Sequence, residues 1–171
     1  SRQGGYALDL DSTRLLHEDG HQEGVAVGYT RVGTKPCLHP LVAVLSEVRL
    51  VASFWLRPGN SSCANNGVSF FLDLWENLPH HIHLRVVRAD SGFCVGGLLM
   101  LWETLKLKFV VAARLTRPLQ GLIKKETLWQ ATEIAGTEVA ELDYREEGWP
   151  ASARLIVLRH RTADKQGRRG G

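Results

Sequence analysis

Over residues 40–113 the apolar residues switch between a two-residue and a 3.6-residue period, and that alternation limits what the chain can fold into. Residues 40–46 and 49–56 are apolar runs split by Glu47-Val48 and read as a β-hairpin, with Val42, Val44, Val51, Phe54 and Trp55 as expected core residues. Arg57-Pro58-Gly59-Asn60 then turns the chain. Ser61, Ser62 or Asn65 is placed to cap a helix over residues 64–78, where Val68, Phe71, Leu72, Trp75 and Leu78 recur at helical steps until Pro79. A strand ending at Asp90 follows, then a helix over 95–105 with Leu98, Leu99, Trp102 and Leu105 on one stripe. Residues 109–113 read as a strand covered on both faces. Strand, helix, strand, helix, strand is a mixed α/β layout with right-handed crossovers.

Acids sit where such sheets collect functional groups. In Tyr6-Ala7-Leu8-Asp9-Leu10-Asp11 the odd positions share one face, so Asp9 and Asp11 lie side by side at the end of a first strand. Two carboxylates so close repel each other, and a divalent cation with a taste for hard oxygen ligands, magnesium or manganese, would offset that cost. Asp90 ends a second strand, and the strand C-termini of an α/β sheet are where sites form. Asp90 also reads as a helix cap, and Asp9 and Asp11 as acids facing water.

The rest of the chain carries weaker signals. Residues 14–35 read as a polar excursion with a brief strand near 25–29, and His17 and His21 stand four apart, the spacing of a helical metal pair or of solvated loop histidines. His80-His81-Ile82-His83 lies between a helix and a strand and reads as a surface loop. A short helix starts near Pro118, and residues 129–132, 138–144 and 154–161 alternate like strands. Glu141, Asp143, Glu146 and Glu147 fall mostly on a solvated face. The expected division is an α/β core over 1–128, a β-rich insertion over 129–161 and a basic flexible tail over 162–171. The near-immediate first strand and the polar tail read as a piece cut from a longer chain.

Composition narrows the setting. A net charge of +3 permits nucleic-acid binding without requiring it. Cys37, Cys63 and Cys94 are odd in number and far apart, which speaks for reduced thiols and a cytoplasmic setting. No apolar run approaches the ~20 residues of a membrane span, so no membrane partner is expected.

With both aspartate stretches in view, the chain resembles the catalytic domain of bacterial insertion-sequence DDE transposases, the group called transposase DDE domain group 1. The resemblance is carried in order by Leu8-Asp9-Leu10-Asp11-Ser12-Thr13, Gln22-Glu23-Gly24 with Gly28-Tyr29, His39-Pro40-Leu41, Leu56-Arg57-Pro58-Gly59-Asn60, Arg88-Ala89-Asp90-Ser91-Gly92-Phe93 and Ala113-Arg114-Leu115. It implies an RNase H-like fold and two Mg2+ or Mn2+ ions about 4 Å apart for phosphodiester hydrolysis and strand transfer at transposon ends. By the resemblance Asp11 and Asp90 are catalytic acids and metal ligands, with Asp9 the alternative to Asp11. A third acid, a glutamate, is implied on a helix beyond the insertion; Tyr144-Arg145-Glu146-Glu147 lacks the family's spacing, so the chain is expected to be inactive alone. Arg57, Arg88, Arg114 and Arg117 lie near strand or turn ends as candidate contacts to DNA phosphates, or as ordinary surface arginines. The implied partners are transposon-end and target DNA, with a homodimer assembling on it.

Two other readings stand beside this one. D-x-D-x-T after an apolar strand also opens haloacid-dehalogenase-like phosphatases, which would make Asp9 the nucleophile and Asp11 its acid-base partner. The other is a non-catalytic transposase remnant that binds DNA or a partner subunit.

Overall fold

The structure, a computed structural model, describes residues 4–17, 21–30, 32–62 and 66–160. In chain order the first elements are β1 (Tyr6–Ser12), β2 (Leu15–Leu16), β3 (Ala26–Thr30), β4 (Gly33–Leu38), β5 (Leu41–Leu45), β6 (Leu50–Trp55) and α1 (Gly67–Asn77). There follow β7 (Leu84–Ala89), α2 (Gly96–Thr104), β8 (Phe109–Val111), α3 (Arg117–Lys125), β9 (Gln130–Ala131), β10 (Thr137–Tyr144) and β11 (Ala153–His160). Two compact units result: Ser1–Arg114 with Gly148–Pro150, and Leu115–Glu147 with Ala151–Gly171. The first break thus falls after Arg114, ahead of the boundary at 128 read from the sequence; 162–171 lies outside the described residues.

The first unit is built on a five-stranded sheet in the order β6-β5-β1-β7-β8. β1 pairs antiparallel with β5 and parallel with β7, and β7 pairs parallel with β8. This is the mixed sheet flanked by helices that the period changes predict. One face is a packed core: Leu8, Leu10, Leu41, Ala43, Leu45 and Val87 are buried, as are Phe70, Phe71 and Leu74 of α1 and Leu98, Leu99 and Trp102 of α2. Aromatic contacts join helices to strands, Phe70 edge-on to Trp55 at 5.6 Å and Trp102 tilted against Phe109 at 5.4 Å between ring centroids. The other face carries Asp9, Val42, Val44, Phe54 and Arg88, half-buried or exposed.

Several local expectations change. The β5 run Leu41-Val42-Ala43-Val44-Leu45 is apolar at every position, so its period cannot choose a face; helix packing chose the odd residues, and Val42, Val44, Val51 and Phe54 are outside the core. The same applies to α1, whose buried stripe is Phe70, Phe71 and Leu74, with Leu72 exposed. Neither Ser61 nor Ser62 caps that helix. Its N-cap is Asn66 in the left-handed region (φ 66), without a side-chain cap bond, and Asn65 lies outside the described residues. β8 is three residues long on the sheet edge, with Val110 66% exposed, because only one neighbour pairs with it.

A three-stranded sheet, β2-β4-β3, occupies what reads as a polar excursion, and Pro36 sits inside β4. It closes on the turn after β6 through a bridge between Leu38 and Pro58. A Cβ on Gly59 would collide with the Cys37 carbonyl and sulfur and the Ala26 carbonyl, which is why the turn needs glycine there.

The second unit holds α3 and the antiparallel sheet β11-β10-β9. Arg154 donates twice to Glu141 (2.6 and 2.6 Å), and Arg159 bonds Glu138 at 2.6 Å while its guanidinium lies 3.9 Å over the Trp129 ring. Glu146 is not simply solvated: Thr116 donates to it at 3.1 Å and the Tyr144 hydroxyl also donates to it. That bond keeps the Tyr144 proton on, moving its pKa up. Among the described residues no helix is long and apolar enough to cross a membrane.

Candidate active site

The β1–β7 register runs Asp9 beside Arg88 and Leu10 beside Ala89. The next residues along are Asp11, still within β1, and Asp90, immediately past the end of β7. Neighbouring strands lie about 4.8 Å apart, so residues distant in sequence end on one sheet edge. Both are exposed. Asp11 Oδ1 accepts the Ser12 N–H at 2.7 Å, and Asp90 Oδ1 accepts the Gly92 N–H at 2.8 Å. The second is an Asx-type turn rather than a helix cap, since α2 starts later, after Val95. Among the described residues the other oxygen of each carboxylate carries no hydrogen bond.

Asp9 has a different environment. Arg88 grips it with two parallel bonds, Nε to Oδ1 at 2.6 Å and Nη2 to Oδ2 at 2.8 Å. Ser46, just past β5, donates its hydroxyl to Asp9 and accepts from Arg88 Nη2 at 3.0 Å. The Arg88 hydrogen bonds, against partial burial and aided by Ser46, hold the Asp9 carboxyl below the usual carboxylate range. A nucleophilic Asp9, as the phosphatase reading requires, would have to leave both partners.

Beside this lies a turn held by three basic side chains. His39, buried, pairs Nδ1 with the Ser61 carbonyl at 2.7 Å, and Arg57 donates to the carbonyls of His39 (3.1 Å) and Ser62 (2.8 Å). Arg14 reaches the Gly59 carbonyl at 2.9 Å. Burial pushes the His39 pKa down; the Ser61 bond opposes this, Arg14 and Arg57 add to it, and the Asp90 charge pulls the other way. His39, Arg14 and Ser46 were not singled out as site residues by sequence reasoning. A histidine inside an otherwise apolar segment ahead of Pro40 was the available signal.

The four candidate phosphate arginines diverge. Arg57 is buried and spent on backbone carbonyls, and Arg88 is paired with Asp9. Arg114 is exposed, its Nε donating to Ser91 at 3.3 Å, and Arg117 is exposed at the first position of α3. The backbone N–H of His17 bonds the Pro36 carbonyl of β4, and residues 18–20, which separate it from His21, lie outside the described residues. Among the described residues no three His, Cys, Asp or Glu gather where they could hold a metal ion, so any site at this edge rests on two acids here. The donor chemistry still fits Mg2+ or Mn2+: two exposed carboxylates on adjacent strand ends, each with an oxygen to offer, are hard ligands of the right kind.

Comparison with known proteins agrees with this architecture. The catalytic core domain of BIV integrase is similar at 14% identity, with 71% of this chain and 64% of that one covered and a TM-score of 0.44. The piggyBac transposase in a synaptic complex with hairpin DNA is similar at 13% identity and a TM-score of 0.51, covering 97% of this chain but 35% of that one. The Drosophila P element transposase in a strand transfer complex gives 13% identity and a TM-score of 0.31, covering 61% of this chain and 25% of that one. This chain therefore spans less than two thirds of each. A search of curated proteins finds no match. The piggyBac likeness supports the RNase H-like fold. The family described as transposase DDE domain group 1 matches residues 3–168, nearly the whole chain, and the chain belongs to that family.

Proposed function

We propose that Asp11 and Asp90 are two carboxylate ligands of a divalent-metal site at which a transposase containing this domain hydrolyses and rejoins DNA phosphodiesters at transposon ends. The observation that carries the reading is their pairing: two exposed acids, brought to adjacent ends of parallel strands, each keeping one oxygen clear of donors among the described residues. Membership of the family implies divalent metal use. Bound Mg2+ or Mn2+ supplies polarisation of a phosphoryl oxygen and a more nucleophilic water or 3′-hydroxyl.

The protein's own part is placement. The Ser12 and Gly92 N–H bonds restrain each carboxylate through its Oδ1, leaving the other oxygen as the one to offer a cation. The turn held by His39, Arg57 and Arg14 keeps the β6 exit rigid, and Arg114 offers a guanidinium to DNA phosphate. The family resemblance implies a third carboxylate, a glutamate, and among the described residues none joins Asp11 and Asp90. The DNA partners are transposon ends and target, with two copies on the DNA, in the cytoplasm of a prokaryote.

Calorimetric titration with Mn2+ tests this directly. The unaltered chain binds, and Asp11→Asn and Asp90→Asn each lose binding; equal binding by all three proteins would overturn the reading. In an intact transposase carrying the domain, nicking of a transposon-end duplex should depend on Mg2+ and on the same two residues.

A further inference from the structure

Asp9 and Arg88 each stand two residues before a site aspartate and pair across neighbouring strands, Asp9 on the same sheet face as Asp11 and Arg88 just ahead of Asp90, which follows the end of β7. Side chains two apart on a strand are separated by about 6.6 Å, within reach of an arginine. A guanidinium at Arg88 with no partner would therefore turn to Asp90 or Asp11 and compete with any cation there. A carboxylate at Asp9 with no partner would add a third negative charge to the edge. In the structure each charge removes the other: the bidentate bonds of 2.6 and 2.8 Å join β1 to β7, and Ser46 ties in the end of β5.

We propose that Asp9 and Arg88 are a positioning pair for the metal site, Asp9 holding the Arg88 guanidinium off Asp11 and Asp90 while the pair clamps together the two strands that carry them. This rests on the reading of Asp11 and Asp90 as metal ligands. It assigns a role to the first acid of the D-x-D stretch other than ligand or nucleophile. Removing either partner has opposite consequences for the site. Without the Asp9 charge, Arg88 turns to the site acids and cation binding weakens. Without Arg88, Asp9 joins the site acids and cation binding tightens.

The test is Mn2+ calorimetry on the 171-residue chain, with thermal midpoints measured on every protein. Asp9→Asn should weaken Mn2+ binding by about tenfold or more, the scale of one close charge interaction. Arg88→Gln should tighten it, and the double variant should return close to the unaltered chain. Loss of affinity in both single variants, in step with lowered midpoints, would mark the pair as merely structural and overturn the proposal. So would an Asp9→Asn protein that binds like the unaltered chain. If Asp9→Asn does not fold, the double variant decides, near-normal binding supporting the proposal and weak binding refuting it. Should the unaltered chain bind no better than Asp11→Asn and Asp90→Asn, the metal reading itself fails and this inference goes with it.

Discussion

The β10–β11 ribbon and the C-terminal edge of the five-stranded sheet treat their acids in opposite ways. In the ribbon Glu138 faces Arg159 and Glu141 is gripped by Arg154, so charge is balanced across the strand pair. At the sheet edge Asp11 and Asp90 are exposed and, among the described residues, bond only to N–H groups of their own turns. Two residues further back in each segment, Asp9 and Arg88 repeat the ribbon's pattern. Balanced pairs hold strands together. Two unbalanced acids at neighbouring strand ends have no such cross-strand partner, which is the contrast the proposed metal site would explain.

Four experiments press on this contrast. The largest effect belongs to the strand's buried face: Leu10→Ala, one residue from Asp11, should cost about 2–5 kcal/mol in denaturant unfolding. Asp11→Asn should leave the unfolding midpoint where it is yet reduce Mn2+ affinity by about a hundredfold; a fall in stability instead would make Asp11 a structural acid like those of the ribbon.

Third comes pH. The folded protein holds the His39 pKa below its ordinary 6.5, mainly by burial. A depressed histidine contributes full stability above that ordinary value and loses it as pH falls through the folded value. Stability should therefore drop below pH 6.5, and His39→Gln, which keeps a donor for the Ser61 carbonyl, should flatten the drop in thermal scans at several pH values. The smallest effect is expected in the ribbon, where the exposed Glu141–Arg154 pair is screened by water: Glu141→Gln should shift neither the thermal midpoint nor Mn2+ binding measurably.

Much of this was legible in the residues. The strand at Tyr6–Ser12, the hairpin, both core helices and the three ribbon strands follow from period and punctuation. What period could not decide was the face of a segment apolar on both sides, as in Leu41–Leu45, nor the edge position of Phe109–Val111, which depends on which strands come to flank it. Asp11 and Asp90 were legible as strand-end acids. Their adjacency needed the parallel β1–β7 register, which joins segments 79 residues apart at Asp9 and Arg88. Yet a hint was printed there: Asp9-x-Asp11 and Arg88-x-Asp90 carry opposite charges at matching offsets.

The position of β1, between an antiparallel and a parallel neighbour, has a temporal consequence. The β5–β6 hairpin closes a short loop, while β1 meets β7 only after the segment containing β2 to α1 has been made, and long closures come late because more chain entropy is lost. During synthesis Asp11 leaves the ribosome well before its companion exists. The acidic edge thus cannot assemble before β7 is made, and until then a nascent chain offers a cation Asp11 without Asp90.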